Sequence, residues 1–506
     1  MTRTLLLGTL LAVAVFVASA WPTLPSMVDD AYVSLRYARH LALGNGLVYN
    51  AGQPPVEGYT NLLWVLWMAP GTVLPVHPST WATGWGLFFG AVALVNATGL
   101  GTALCGRGSP WALLPTTILA ALPVFGIAAT NGLETALYVA LLLGAAWATI
   151  AGTHPALAGV VCGLLYLVRP EGLVAGGALA AMLAARTFVA DPRDVRSRVA
   201  TAIVPLLAFT AVVVPYFVAR SVYFGTLVPN TYAAQAREPF LDMFEMNTPY
   251  YRRSVALYAG ALVLFVAAAV LGPRRAPRYA LLAVAAGLTL LSMRVYNWMP
   301  GARLFLAPIA LVVCAAAPVV QGLAPWARRL AVPALAAWTL WLTLGPSRAV
   351  EARYDLRNTA LPDNEAERMG RRVAAVAPEG AWLLARDAGV VPYFAGPHVN
   401  VVDIHPYSLT DPRLTGKRFD VDYVLGHEPA FLVTTATTPE ELPTIYAPER
   451  TLLRDARVKG RFSQAEVAWQ HHRRWYALWV RDDMKNAVKD TLKDVGENAT
   501  LAAPTK

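Results

Sequence analysis

Charge is scarce in this chain: Asp, Glu, Lys and Arg make up 15% of its 506 residues, against 56% hydrophobic. A composition this apolar, with a mean hydropathy of +0.44, excludes an ordinary soluble globule and points to a polytopic membrane protein. Cysteine is nearly absent. Cys105, Cys162 and Cys314 lie in or at the ends of apolar runs and match no metal or redox spacing, so they read as small hydrophobes buried among helices. Lysine is missing before Lys417, and that shift marks a soluble C-terminal region of different composition. The net charge of +10 rests mainly on Arg in short loops between apolar segments, which is a membrane-orientation pattern. No basic cluster is interleaved with aromatics, so no nucleic-acid partner is expected.

Long apolar runs are what the chain does have. Segments able to cross a bilayer fall near residues 4–21, 80–104, 110–128, 132–151, 198–222, 254–271, 279–293, 303–322 and 330–345. The first also resembles a signal peptide ending at Ala18-Ser19-Ala20, but it is longer than a usual h-region and many spans follow it. Two stretches are ambiguous, 60–77 and 156–186. If 60–77 lies along the membrane surface and 156–186 is a hairpin broken at "RPEG", then Arg107, Arg186, Arg274, Arg275 and Arg328 all fall in cytoplasmic loops. The positive-inside tendency selects that arrangement, with eleven spans and the C-terminal region outside.

In this topology the polar residues that look out of place converge on the outer face. They are Asp29 and Asp30 in "VDDAY", Glu57 in "VEGYTN", Asn131 and Glu134 in "NGLET", Arg169 and Glu171 in "LVRPEGL", Asn230 in "LVPNTY", and Asn297 and Arg303 in "YNWMPGARLF". Charge beside a bilayer is expensive enough to mark a functional cavity.

In that order, "DDAYVSLRYARHLALGNGLVYN", "VEGYTNLLW", "NGLETAL", "RPEGL" and "FGTLVPNTY" resemble the GT-C glycosyltransferases that use polyprenyl-phosphate sugars. The branch they are most similar to is the mycobacterial terminal arabinofuranosyltransferase family. The resemblance covers roughly residues 1–320, and "RDAGVVPYFAG" with "NVVDIHPYSLTDPRL" extends it more weakly. It implies a GT-C type polytopic α-helical membrane protein with about eleven transmembrane helices and a C-terminal soluble α/β domain. It also implies an extracytoplasmic active site in the bacterial inner membrane, an acidic base in the first outer loop, and a lipid-linked pentose or hexose donor. The family's "GLTD" is "SLTD" here, at Ser408–Asp411.

Sugar transfer from a polyprenyl phosphate breaks an anomeric carbon–phosphate bond through an oxocarbenium-like transition state, while the acceptor hydroxyl loses its proton. A carboxylate serves as general base, with Asp30 the first candidate and Asp29 the second. Asp is equally a favoured N-cap, and two adjacent carboxylates can divide these roles. Cations must meet the departing phosphate. Tyr32, Arg36 and Arg39 share one stripe of the helix opening near Asp29, suited to a lipid phosphate or to bulk headgroups. Arg169 and Arg303 are further phosphate candidates, although Arg169 and Glu171 also suit a local ion pair. Glu57, Tyr59, Asn131, Glu134, Glu171, Asn230 and Asn297 are candidates for sugar or acceptor contacts, Glu134 being equally a helix cap. A divalent cation is compatible with this chemistry, but no Asp/Glu/His cluster has ligand spacing. Trp64, Trp67, Trp81 and Trp85 read as an interfacial belt rather than a sugar platform.

The expected division is 1–345 for the membrane part, with a first outer loop at 22–79, then 350–482 for the α/β domain and 483–506 for a polar, partly disordered tail. In the second part "EAERMGRRVAAV" reads as an amphipathic helix, and "AWLLARDAG", "VNVVDI", "AFLVTT" and "RWYALWVR" read as strands. Asp387, Asp403 and Asp411 sit near strand ends, as acceptor-binding groups or turn formers. Three functions remain open at this level. One is transfer of a sugar, arabinofuranose first, to a cell-envelope glycan, glycolipid or surface protein. The others are protein O-mannosyltransfer and a lipid-linked sugar flippase, although the internal repeats common in transporters are not visible.

Overall fold

The computed structural model describes residues 2–24, 27–190, 192–235, 239–271, 276–295, 300–344, 364–415, 419–436, 447–470, 474–486 and 488. Asn297 and the tail beyond residue 488 lie outside the described residues.

The helices are α1 (Arg3–Ala20), α2 (Asp29–Ala42), α3 (Leu62–Met68), α4 (Pro78–Cys105), α5 (Leu114–Ala121), α6 (Pro123–Thr130), α7 (Thr135–Ala151), α8 (Pro155–Val168) and α9 (Gly172–Ala190). They continue with α10 (Val195–Phe224), α11 (Asn230–Gln235), α12 (Phe240–Met246), α13 (Thr248–Val270), α14 (Ala276–Ser292), α15 (Leu306–Gly322) and α16 (Pro325–Leu344). Among the described residues, five helices are long and apolar enough to cross a membrane: α1, α4, α9, α10 and α15 with its lead-in turn. The pair α5 and α6, bent by 63°, makes a sixth if it is one span, and α7, α8, α14 and part of α13 are shorter apolar helices.

Proline sets the breaks. Leu122 and Arg169 each precede a proline, are held extended, and end α5 and α8. A proline ring disfavours the helical conformation of the residue before it. Residues 156–186 are accordingly two helices. Residues 60–77 contain only the seven-residue α3 and a following 3-10 turn, too short to span. Cys162 and Cys314 are buried, Cys105 is partly so, and none of the three is in a disulfide among the described residues.

The C-terminal part contains α17 (Glu365–Val376), α18 (Val390–Phe394) and a five-stranded sheet: β1 (Trp382–Ala385), β2 (Asn400–Asp403), β3 (Phe431–Ala436), β4 (Phe462–Gln470) and β5 (Arg474–Arg481). The strand order is β2-β1-β3-β5-β4, with β2, β1 and β3 parallel and β5 antiparallel to both neighbours. Alternation divides the strands between two cores. Leu383, Val401 and Phe431 join the large core shared with the membrane helices, while Leu384, Val402 and Leu432 form a smaller one on the other face. Strand β4 escapes the apolar-run reading because Ser463, Gln464 and Glu466 interrupt it and a register shift falls between Gln464 and Glu466.

Helix α2 lies between these two parts, with Ala31 through Ala38 all buried. Its Asp29 carboxylate accepts from the amides of Gly389 (3.0 Å) and Val390 (2.7 Å), at the start of α18. Only glycine fits at 389, since a Cβ there would fall 1.9 Å from the Asp29 carbonyl oxygen. Further along, the Asn50 side-chain amide exchanges two 2.9 Å hydrogen bonds with the backbone of Val401 in β2, and the Tyr49 hydroxyl donates to Ala388 O at 2.6 Å.

Candidate active site

A cavity of about 280 Å³ opens where the loop between α1 and α4 meets the ends of several apolar helices. Asp30, Val33 and Ser34 line one wall, as residues three and four apart on one face of α2 must. Tyr59, Thr60 and Asn61 follow from the loop before α3, and Leu133, Glu134, Arg169, Glu171, Thr231, Tyr232, Ser292 and Arg303 close the other sides. Leu409 reaches in from the C-terminal part.

An ion-pair network organises the floor. Glu134 stands at the N-terminus of α7 but makes no capping bond with its side chain. Instead Oε1 accepts from Arg169 Nη1 at 2.7 Å and Arg303 Nη1 at 3.4 Å, and Oε2 accepts from Asn61 Nδ2 at 2.9 Å. Arg169 also donates through Nε to Glu171 Oε1 at 2.5 Å and lies over the Tyr138 ring, 5.7 Å from its centre. Ser34 exchanges hydrogen bonds with Asn61, so the Asp30-bearing face of α2 is tied to the same network.

Asp30 is partly buried in that wall. Burial pushes its carboxyl up to about 6, and the Asp387 and Glu134 carboxylates add to the rise while Arg303 opposes it. A carboxyl poised there accepts a proton near neutral pH. Asp29, one helical step of about 100° away, points elsewhere and holds α18. Its side chain does not cap α2, whose own N-cap is Val28.

Several sequence candidates lie away from the cavity. Arg36 is 1% exposed, and its five N–H groups go to the carbonyls of Tyr49, Pro392, Gly396 and Val399 and to Asn50 Oδ1, leaving none for a phosphate. Arg39 donates to Tyr393 O at 3.3 Å and stacks on that ring. This stripe of α2, Tyr32 included, packs on the C-terminal part. Glu57 forms a buried ion pair with Arg220 of α10. Asn131 Oδ1 accepts from Leu133 N at 3.1 Å within a turn, where Gly132 takes φ +78. Asn230 Nδ2 donates to the carbonyls of Ser408 and Leu409, at 3.1 and 2.8 Å. Asp403 holds the same loop by accepting from the amides of His405 and Leu409, at 3.0 and 2.8 Å. Asp411 accepts from the Tyr423 hydroxyl at 2.7 Å, and Asp387 pairs with Arg386 at 3.0 Å. Trp64 leaves the expected aromatic belt: it is 1% exposed and its indole N–H donates to Gly132 O at 2.9 Å.

The structure adds Ser34, Asn61, Thr231, Tyr232 and Ser292 to the lining. Ser34 was legible as the residue four beyond Asp30, and Asn61 ends the "VEGYTN" stretch; the other three carry no sequence signal. Among the described residues no group of three or more His, Cys, Asp or Glu is arranged to hold a metal ion.

A polytopic helical body, a carboxylate-bearing helix in the loop after α1 and a small C-terminal sheet together define the GT-C class of fold. The chain covers 97% of ArnT from Cupriavidus metallidurans bound to undecaprenyl phosphate, with 93% of its own length aligned, a TM-score of 0.61 and 15% identity. It covers 40% of the mycobacterial arabinofuranosyltransferase AftD (95% of this chain, TM-score 0.56, 15% identity). It also covers 68% of the archaeal oligosaccharyltransferase AglB from Archaeoglobus fulgidus (85% of this chain, TM-score 0.53, 11% identity). By sequence it is 32% identical over 263 residues to the terminal β-(1→2)-arabinofuranosyltransferase of Mycobacterium tuberculosis. That match takes in 47% of this chain and 40% of the relative, so the chain spans less than half the length of that protein. No family model matches the chain.

Proposed function

We propose that this protein is a membrane glycosyltransferase that moves a sugar, arabinofuranose first, from a polyprenyl-phosphate carrier to an acceptor hydroxyl of the cell envelope. The cavity faces the extracytoplasmic side, as the arginine distribution favours. The observation that carries the reading is the opposition, across one cavity, of the Asp30 carboxylate to the Arg303 guanidinium. Asp30 takes the acceptor proton as the acceptor oxygen bonds to the anomeric carbon. The bond from that carbon to phosphate oxygen breaks, and its electron pair leaves on the lipid phosphate, toward Arg303. Ser34, Asn61 and Tyr232 are placed to contact sugar hydroxyls. Carriers of this chemistry accompany two neighbours of the same fold, undecaprenyl phosphate in ArnT and dolichol-phosphate in AglB, and the sequence relative transfers arabinofuranose.

The test uses purified protein in lipid nanodiscs, an arabinofuranosyl-phosphate lipid and a glycan acceptor. Release of lipid phosphate matched by a new glycosidic bond, absent from Asp30→Asn, supports the reading. Reaction only with a mannosyl or other hexosyl donor replaces the arabinose. No transfer with any donor, with lipid-linked sugar crossing sealed vesicles, replaces the enzyme by a transporter.

A further inference from the structure

The cavity holds three carboxylates, Asp30, Glu134 and Glu171, against two guanidinium groups, Arg169 and Arg303. With Asp30 ionised it carries a net negative charge, which suits an anionic ligand badly. The two cations are also unequal. Arg169 lies between Glu134 and Glu171, at 2.7 and 2.5 Å, and is neutralised. Arg303 makes only long contacts through Nη1, to Glu134 at 3.4 Å and Thr135 at 3.5 Å, and among the described residues its Nε and Nη2 meet no acceptor. The carboxylates differ too. Glu134 is held by Arg169, Arg303 and Asn61 and its side chain is 7% exposed, whereas among the described residues Glu171 is held by Arg169 alone and is 18% exposed.

Resting on the phosphate-carrier reading above, we propose that Glu171 is a built-in placeholder: its carboxylate occupies the Arg169 site in the empty cavity, and the phosphate of the lipid donor or product displaces it. Phosphate oxygens then take the Arg169 Nε position that Glu171 vacates, alongside the free donors of Arg303, while Glu134 stays in place. Two consequences follow. The Arg169 Nε–H is never left without an acceptor between turnovers, which would be costly in a partly buried site. The spent lipid phosphate also meets a competitor for its own binding group, which speeds its release. Glu171 is therefore a positioning residue that sets phosphate affinity, not a catalytic one. A like charge held within about 6–12 Å of a phosphate, at an effective dielectric near 20, changes its affinity by roughly ten- to a hundredfold.

Binding of undecaprenyl phosphate to the full chain in nanodiscs, compared with the uncharged alcohol undecaprenol, tests this. Glu171→Gln and Glu171→Asn should each tighten undecaprenyl phosphate binding at least about tenfold and leave undecaprenol unchanged, while Arg303→Gln weakens the phosphate. A lost structural contact would not raise affinity for the anion alone. Unchanged or weaker phosphate binding in the folded Glu171 variant, with Arg303→Gln still weakening it, overturns the placeholder and leaves the phosphate site standing. Equal tightening of both lipids overturns it as well, since charge is then not the cause. No effect of Arg303→Gln on the phosphate removes the underlying reading.

Discussion

Replacing Asp29 and Asp30 separately by Asn should lower activity in only one case. Asp30 makes no hydrogen bond among the described residues, and its carboxyl is raised from the ordinary 3.8 to about 6, chiefly by burial. Its folded value lies above its unfolded one, so the protonated form is favoured by folding, and stability is lost as pH rises from about 4 through about 6. A shift of about two units corresponds to roughly 2–3 kcal/mol at pH 7. Asp30→Asn, neutral at every pH, should therefore be more stable than the parent by about that amount at pH 7. The gap should close by about pH 4, where both side chains are uncharged. Turnover should fall by roughly 10²–10⁴-fold, the contribution of a general base. Asp29→Asn behaves otherwise. It removes one of the two side-chain oxygens that hold the amides of Gly389 and Val390, outside the cavity, and should keep most of its turnover. Thermal unfolding of both variants at pH 4, 5, 6 and 7, beside the transfer assay, reads all of this. An Asp30→Asn protein that is less stable than the parent at pH 7, or that turns over normally, refutes the assignment.

The rate itself should follow the same group: below about pH 6, kcat/KM falls about tenfold per pH unit as Asp30 takes up its proton. Because Arg303 holds that carboxyl down, Arg303→Gln should move the acidic limb upward, beyond any loss of donor affinity. Arg36→Met strands four backbone carbonyls and should loosen the C-terminal part by about 3–5 kcal/mol, seen as faster limited proteolysis near residues 389–400 with undecaprenyl phosphate affinity unchanged. Glu57→Gln leaves Arg220 as an unpaired buried cation and should cost a similar ~3–5 kcal/mol, whereas Glu57→Met combined with Arg220→Met should recover most of it. In a thermal-shift assay, a double variant no more stable than Glu57→Gln would show that the pair is not the source of the loss.

Periodicity and proline made much of the architecture legible. The apolar segments became helices, "EAERMGRRVAAV" is α17 residue for residue, and four of five strands begin or end within their apolar runs. These features depend on local chain geometry and on burying apolar surface, and both are written into residue order. Asp30, Glu134, Arg169, Glu171 and Arg303, which line the cavity, stood out in the sequence because charge among apolar spans is costly without a purpose. Which polar residues serve the cavity and which serve as fasteners was not visible. Asp29 meets amides 360 positions away, Arg36 meets carbonyls at a similar separation, and Asn230 holds a loop 178 positions on. Sequence alone determined that this chain has helices apolar enough to cross a membrane, a charged loop after the first of them and an α/β end. Only the tertiary structure decided that Asp30 faces Arg303 while Asp29 holds α18, because a turn of about 100° separates neighbours on a helix and the partners that select between them arrive from the far end of the chain.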